Sequence, residues 1–323
     1  MAVAVFLVGV VAVVGGAELV VRGGARIAAR LGISPLIIGL TVVAVGTSAP
    51  ELAVGIDAAL TGNGELAVGN IAGTNTFNLL FILGLMALLR PLPITRQTIR
   101  FDLPFMIGAA LLLVLMGFDG AIGTFEGIVL VAGAVLFTTL TIRNARRQSQ
   151  EVREGFEQEY GRRPGGRRPR LEFGLDMLSL VTGLAVIVVG ADWLVDGAVD
   201  IARFLGVSEA FIGLTVVAIG TSAPEIVTAI VATIRDERDL AVGNLLGSSV
   251  YNILFILGAT AVVPGGDLPV PPELAFIDMP VMLLATLACV PVFLSHRIVS
   301  RLEGALFLAG YAAYFAYLIT VRG

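Results

Sequence analysis

Two stretches of this chain set two hydroxyls, a proline and a carboxylate side by side: Gly46-Thr47-Ser48-Ala49-Pro50-Glu51 and Gly220-Thr221-Ser222-Ala223-Pro224-Glu225. In each, the proline has no N–H for the carbonyl four residues back and its ring crowds that carbonyl, so a helix kinks or breaks here. Carbonyls freed in an apolar setting need a partner, and a bound cation can serve. Thr47, Ser48, Thr221 and Ser222 add hydroxyl oxygens, and Glu51 and Glu225 add carboxylates. Downstream lie Asn70, Thr74 and Asn78, then Asn244, Ser248 and Asn252. Thr74 and Asn78 are four apart, as are Ser248 and Asn252, so each pair shares a helical face. The donors are all oxygens, which suits hard cations, and Ca2+ takes six to eight of them. A zinc or copper site would want imidazole or thiolate. His296 falls in a predicted turn beside Arg297, and Cys289 lies inside an apolar run, so neither joins the set.

The elements that carry these residues are apolar throughout. Of 323 residues, 57% are hydrophobic and 14% charged, against roughly 25% charged in soluble domains. Mean hydropathy is +0.94. Several runs reach the ~20 apolar residues that span a hydrocarbon core, and the short alternating segments of a β-barrel are absent. The first 14 residues read as the start of a retained helix, not a signal peptide. The expected fold is an all-α polytopic membrane protein. Its spans fall near 2–28, 33–60, 66–89, 99–118 and 121–142, then 173–203, 207–234, 240–263, 274–294 and 302–321. Residues 143–172 separate the halves as a hydrophilic, flexible linker ending in a run of arginines, prolines and glycines. That run either fixes topology or touches anionic headgroups.

All 21 basic residues are arginines. With the linker in the cytoplasm of a plasma (inner) membrane, Arg90, Arg96, Arg100, Arg235, Arg238, Arg297 and Arg301 also face inward, and both termini lie outside. Arg203 and Arg322 run against this rule.

The motifs are copies. GLTVVAVGTSAPE at 39–51 and GLTVVAIGTSAPE at 213–225 differ only at Val45 and Ile219, and the offset of 174 residues (Gly46 to Gly220) continues without a gap through residues 66–84 and 240–258. Five spans separate equivalent positions. Five is odd, so the copies cross the membrane in opposite directions, the signature of transporters that bind near the midplane. The halves are residues 1–142 and 173–323. An acid at mid-membrane costs about 2.5–3.5 kcal/mol on insertion scales. No Lys or Arg lies in either motif or in the third and eighth spans, which leaves an imported cation as the simplest partner for Glu51 and Glu225. The glycines at 69, 73, 243 and 247 allow close helix approach, and Asn70 and Asn244 can act as hydrogen-bonding glue. Glu18 is placed to pair with Arg22 four residues on. Asp57 aligns with Val231 and has no partner in the repeat. An oxygen-lined ion channel fits the same residues. A hydrolase with Ser48 or Ser222 as nucleophile lacks a histidine or lysine base.

At these residues the chain resembles the cation/calcium exchanger superfamily, in particular the prokaryotic sodium/calcium exchangers. Two copies of GTSAPE, each followed by a Gly-Asn-x-x-Gly, carry the likeness along essentially the whole chain. The resemblance implies ten transmembrane helices as two inverted-topology five-helix repeats, with helices 2 and 7 broken. It implies a diamond of cation sites in which Glu51 and Glu225 bridge calcium and sodium. Thr47 and Thr221 would give backbone carbonyls around calcium, and Ala44 and Ala218 further carbonyls. Ser48, Ser222, Thr74 and Ser248 would supply oxygens to the outer sodium sites, and Asn78 and Asn252 would line the centre. The implied activity is secondary antiport, not enzymatic catalysis: Ca2+ extruded for Na+ by alternating access, with the first and sixth helices sliding. Some relatives carry aspartate where this chain has Asn78 or Asn252, so the centre here holds only two formal negative charges. A proton-coupled antiporter of the same superfamily is the alternative, since a mid-membrane glutamate can protonate on desolvation. Substrates would be Ca2+ and Na+ in a lipid bilayer. No resident cofactor, nucleic acid or protein partner is implied.

Overall fold

The structure is a computed structural model and describes residues 2–159, 169–205, 218–263 and 267–322. Nearly all of them are helical. In chain order the helices are α1 (Ala2–Leu31), α2 (Pro35–Thr47), α3 (Ala49–Leu60), α4 (Gly64–Leu89), α5 (Thr98–Asp119) and α6 (Thr124–Glu159). They continue as α7 (Pro169–Phe204), α8 (Ala218–Thr221), α9 (Ala223–Ile234), α10 (Arg238–Val262), α11 (Leu274–Ser295) and α12 (Arg301–Arg322). Eight are long and apolar enough to cross a membrane, and α2 with α3 makes a ninth, bent by 42° at Ser48. The expected span 207–234 lies partly outside the described residues, and its described remainder is α8 and α9. The expected linker is helical at both described ends, up to Glu159 and from Pro169, and all but the last two residues of its arginine run at 162–170 lie outside the described residues.

Wider π-helical turns interrupt the regular helices. They occupy Phe77–Ile82 in α4 and Asn252–Leu257 in α10, within one residue of the same place in each repeat. Two more open α5 at Thr98–Asp102 and α11 at Leu274–Asp278. Such turns release backbone groups from their usual partners and cluster at functional positions.

The chain divides into two compact units that cut across the halves of the sequence: residues 1–47 with 138–244, and residues 48–137 with 245–323. In the first unit α1 and α7 run antiparallel along a seam of glycines. Gly9, Gly16 and Gly23 on α1, and Gly183, Gly190 and Gly197 on α7, recur every seven residues and match through the repeat offset. A methyl group on Gly16 would sit 2.8 Å from the Gly183 carbonyl oxygen, and one on Gly183 would sit 2.8 Å from that of Gly16. Only glycine lets the two backbones approach this closely. Val13, Ala17, Val20, Leu180, Ile187 and Ala191 fill the space around the seam. At one end Asp176 on α7 takes Arg26 at 2.9 Å and Arg30 at 2.6 Å from α1.

The second unit makes one contact twice. Gly84 on α4 meets Gly304 on α12, where an added methyl would lie 2.8 Å from the Gly304 carbonyl oxygen. Gly127 on α6 meets Gly258 on α10 in the same way, at 2.9 Å. Two short antiparallel strand pairs repeat the pattern: β1 (Leu92–Pro93) with β4 (Ile298–Val299), and β2 (Ala121–Ile122) with β3 (Leu268–Pro269). Each pair joins one half of the sequence to the other, as a two-fold relation between repeats requires.

Candidate cation site

Both proline motifs adopt one local geometry. Helix α2 stops at Thr47, Ser48 turns the chain at φ −85°, ψ 14°, and α3 starts at Ala49 with Pro50 in its first turn. Thr221, Ser222 (φ −88°, ψ 6°), Ala223 and Pro224 repeat this in the second copy. Proline is harmless in a first helical turn, where its missing N–H would have no partner. It does end the preceding helix. The sequence expectation of a break at both motifs therefore holds, with the serine as the turn residue.

Each break delivers its glutamate to the third position of the following helix. Glu51 and Glu225 are both 0% exposed. The helix N-terminus carries about half a positive charge, which favours a carboxylate in that first turn. Ala44, Thr47, Ser48, Ser222, Thr74, Ser248, Asn78 and Asn252 are buried too. Thr221 is half-buried, and Ala218 begins the short α8. Ala44, Thr47, Ala218, Thr221, Ser222 and Glu225 belong to the first unit, and Ser48, Glu51, Thr74, Asn78, Ser248 and Asn252 to the second. No cluster of three or more His, Cys, Asp or Glu side chains forms among the described residues.

In the first unit the Thr47 hydroxyl donates to Asn244 Oδ1 at 3.2 Å. Asn244 is thus glue, as its sequence position suggested, and it holds the residue that ends α2. Gly243 beside it is needed for close approach, since a methyl there would collide with the Leu36 carbonyl oxygen. Gly73, in the second unit, is different: among the described residues nothing lies within 4 Å of a methyl at that position, so helix packing there does not account for it. Glu18 pairs with Arg22 at 2.5 Å, as expected from their spacing, and also with Arg235 at 2.6 Å.

In the second unit a residue that the repeat pattern passed over sets the orientation of a central amide. Asn75 Nδ2 donates to the Ser249 carbonyl at 3.0 Å, which turns its Oδ1 toward Asn252. Asn252 must then present Nδ2, and it does, at 3.2 Å. Its own Oδ1 is buried and has no hydrogen bond among the described residues. Asn78 has both amide atoms in that condition among the described residues. Buried polar atoms left this way cost about 1–3 kcal/mol each. Asn252 opens one π turn and Asn78 is the second residue of the other, and amide oxygens there suit a cation. Asn75 corresponds to Ser249 in the other copy, so a search for matched pairs could not find it.

Comparison with known proteins identifies the family. The family model described as sodium/calcium exchanger protein matches residues 1–143 and 175–320. The inner membrane protein YrbG of Escherichia coli is 36% identical over 290 residues, covering 89% of this chain and 87% of its own. The sodium/calcium exchanger MaX1 of Methanosarcina acetivorans is 29% identical, covering 98% of both chains. The solved sodium/calcium exchanger from Methanococcus jannaschii aligns with a TM-score of 0.81 at 29% identity, covering 98% of this chain and 97% of that one. With the long apolar helices, this places the protein in the membrane as a transporter and not an enzyme. The chain belongs to the sodium/calcium exchanger protein family.

Proposed function

We propose that the protein extrudes Ca2+ in exchange for Na+ by alternating access, with Glu51 and Glu225 as the central ligands. The observation that carries the reading is the pair of wholly buried glutamates, each in the first turn after a helix break of the same geometry. Backbone carbonyls at Ala44, Thr47, Ala218 and Thr221 and oxygens of Ser48, Ser222, Thr74, Ser248, Asn78 and Asn252 complete the ion sites. The family membership and the likeness to MaX1, a sodium/calcium exchanger, support the ion pair chosen. Helices α1 and α7, joined along their glycine seam, move as one body when access switches. The protein sits in the plasma membrane with both termini outside, as the arginine distribution favours.

Two carboxylates balance one Ca2+, whereas three Na+ would leave one positive charge beside the neutral Asn78 and Asn252. That charge count keeps proton coupling as the competing reading. Reconstituted vesicles decide between them. Ca2+ uptake should follow an imposed Na+ gradient and ignore a pH gradient of equal size. Uptake that follows only the pH gradient would replace Na+ with H+ as the coupling ion, and uptake with no counter-ion would make the protein a channel.

A further inference from the structure

The transport reading uses one matched pair of buried acids and leaves another unused. Asp102-Leu103-Pro104-Phe105-Met106 and Asp278-Met279-Pro280-Val281-Met282 share the pattern Asp-x-Pro-x-Met, and each aspartate closes a π segment. Asp278 accepts a hydrogen bond from the Tyr314 hydroxyl at 2.6 Å. Aligning Glu126-Gly127 with Glu303-Gly304 makes Phe137 the counterpart of Tyr314. Where one copy offers a phenol, the other offers a phenyl ring. Phe137 stacks on Phe101 at 5.9 Å and lies against Phe105 at 5.2 Å, and it has nothing to donate.

Asp102 is 0% exposed, and neither of its oxygens has a hydrogen-bond partner among the described residues. Gln97 is 8% exposed, and both its amide atoms lack partners as well. Among the described residues, Gln97 and Thr98 are the polar side chains that bear on Asp102, and no charged one does. The Thr98 hydroxyl is already engaged with that of Thr95 at 3.0 Å.

An ionised carboxylate in such a place costs several kcal/mol unless something neutralises it. A water molecule would satisfy hydrogen bonds but leave the charge. A sodium ion would use the oxygens of Asp102 and Gln97 and leave Gln97 Nε2 without an acceptor. A proton settles all four atoms: the Asp102 hydroxyl donates to Gln97 Oε1, and Gln97 Nε2 donates to the other Asp102 oxygen. We propose that Asp102 is a proton-binding site, paired as a neutral acid with the Gln97 amide and sharing no residue with the glutamate motifs.

The test is infrared difference spectroscopy at neutral pH on the full-length protein, wild type against Asp102→Asn, with melting in detergent alongside. The proposal expects the variant to lose a protonated carboxyl band, with no dependence on whether the medium holds Na+ or choline. Asp102→Asn should melt with the wild type, because an amide donates and accepts the same two bonds. Asp102→Leu should melt lower, since it strands the Gln97 amide, and Gln97→Leu should shift the carboxyl band upward as its hydrogen bond is lost. Loss of an ionised carboxylate band instead would overturn the proposal. So would a carboxyl band that emerges only when Na+ is withdrawn, or an Asn variant as unstable as the Leu variant.

Discussion

Replacing Asn75 by alanine removes the side chain that fixes the Asn252 amide. Two hydrogen bonds go with it, at 3.0 Å to the Ser249 carbonyl and 3.2 Å from Asn252 Nδ2. Asn252 is 0% exposed, so its stranded N–H has no water to turn to. That costs about 1–3 kcal/mol. The effect has two parts. The folded protein loses stability, read as a fall in melting temperature. The Asn252 amide is also freed to turn, so its oxygen no longer waits in one direction for the ion. About 1.4 kcal/mol of lost preorganisation is a tenfold weaker affinity. Initial rates of Ca2+ uptake into vesicles under a fixed Na+ gradient should therefore show a KM raised about tenfold, with maximal rate much less changed, the pattern of lost ground-state binding. A wild-type KM from a variant incorporated in normal amount would refute the claim that Asn75 orients a ligand.

Three further outcomes follow from contacts elsewhere. Gly16→Leu should abolish recovery of folded protein, because overpacking against the Gly183 carbonyl separates α1 from α7, whereas Gly73→Ala should be tolerated for want of any neighbour within 4 Å; expression and size-exclusion profiles check both. Tyr314→Phe removes the 2.6 Å hydrogen bond to Asp278, so the melting temperature should fall by the equivalent of about 0.5–1.5 kcal/mol. Glu18→Gln breaks pairs with two arginines that are more than half exposed; exposed pairs are worth about 0–1 kcal/mol, and melting should move little.

The sequence made the membrane fold and the two glutamates legible for a simple reason. Apolar length is written locally, and proline beside buried carboxylates in two copies stands out against hydrocarbon. Residues without a matched copy were lost to the same method. Asn75 has Ser249 as its counterpart, and its role depends on α4 and α10 lying side by side. Asp102 and Asp278 were missed because the offset between copies slips from 174 to 176 residues beyond residue 84, so a gapless comparison no longer aligns them. The seven-residue glycine pattern of α1 and α7 was present in the letters, yet its meaning needs the antiparallel pairing that puts Gly16 on Gly183. The compact units could not be read at all, since they take helices from both halves.

The central claim is that Glu51 and Glu225 hold the transported cation. Calorimetric titration of purified protein with Ca2+, repeated at rising Na+, tests it without relying on flux. The account predicts saturable binding that Na+ displaces in the wild type, and no binding in either Glu51→Gln or Glu225→Gln while both variants stay folded. Calcium binding of wild-type strength in both variants would contradict it.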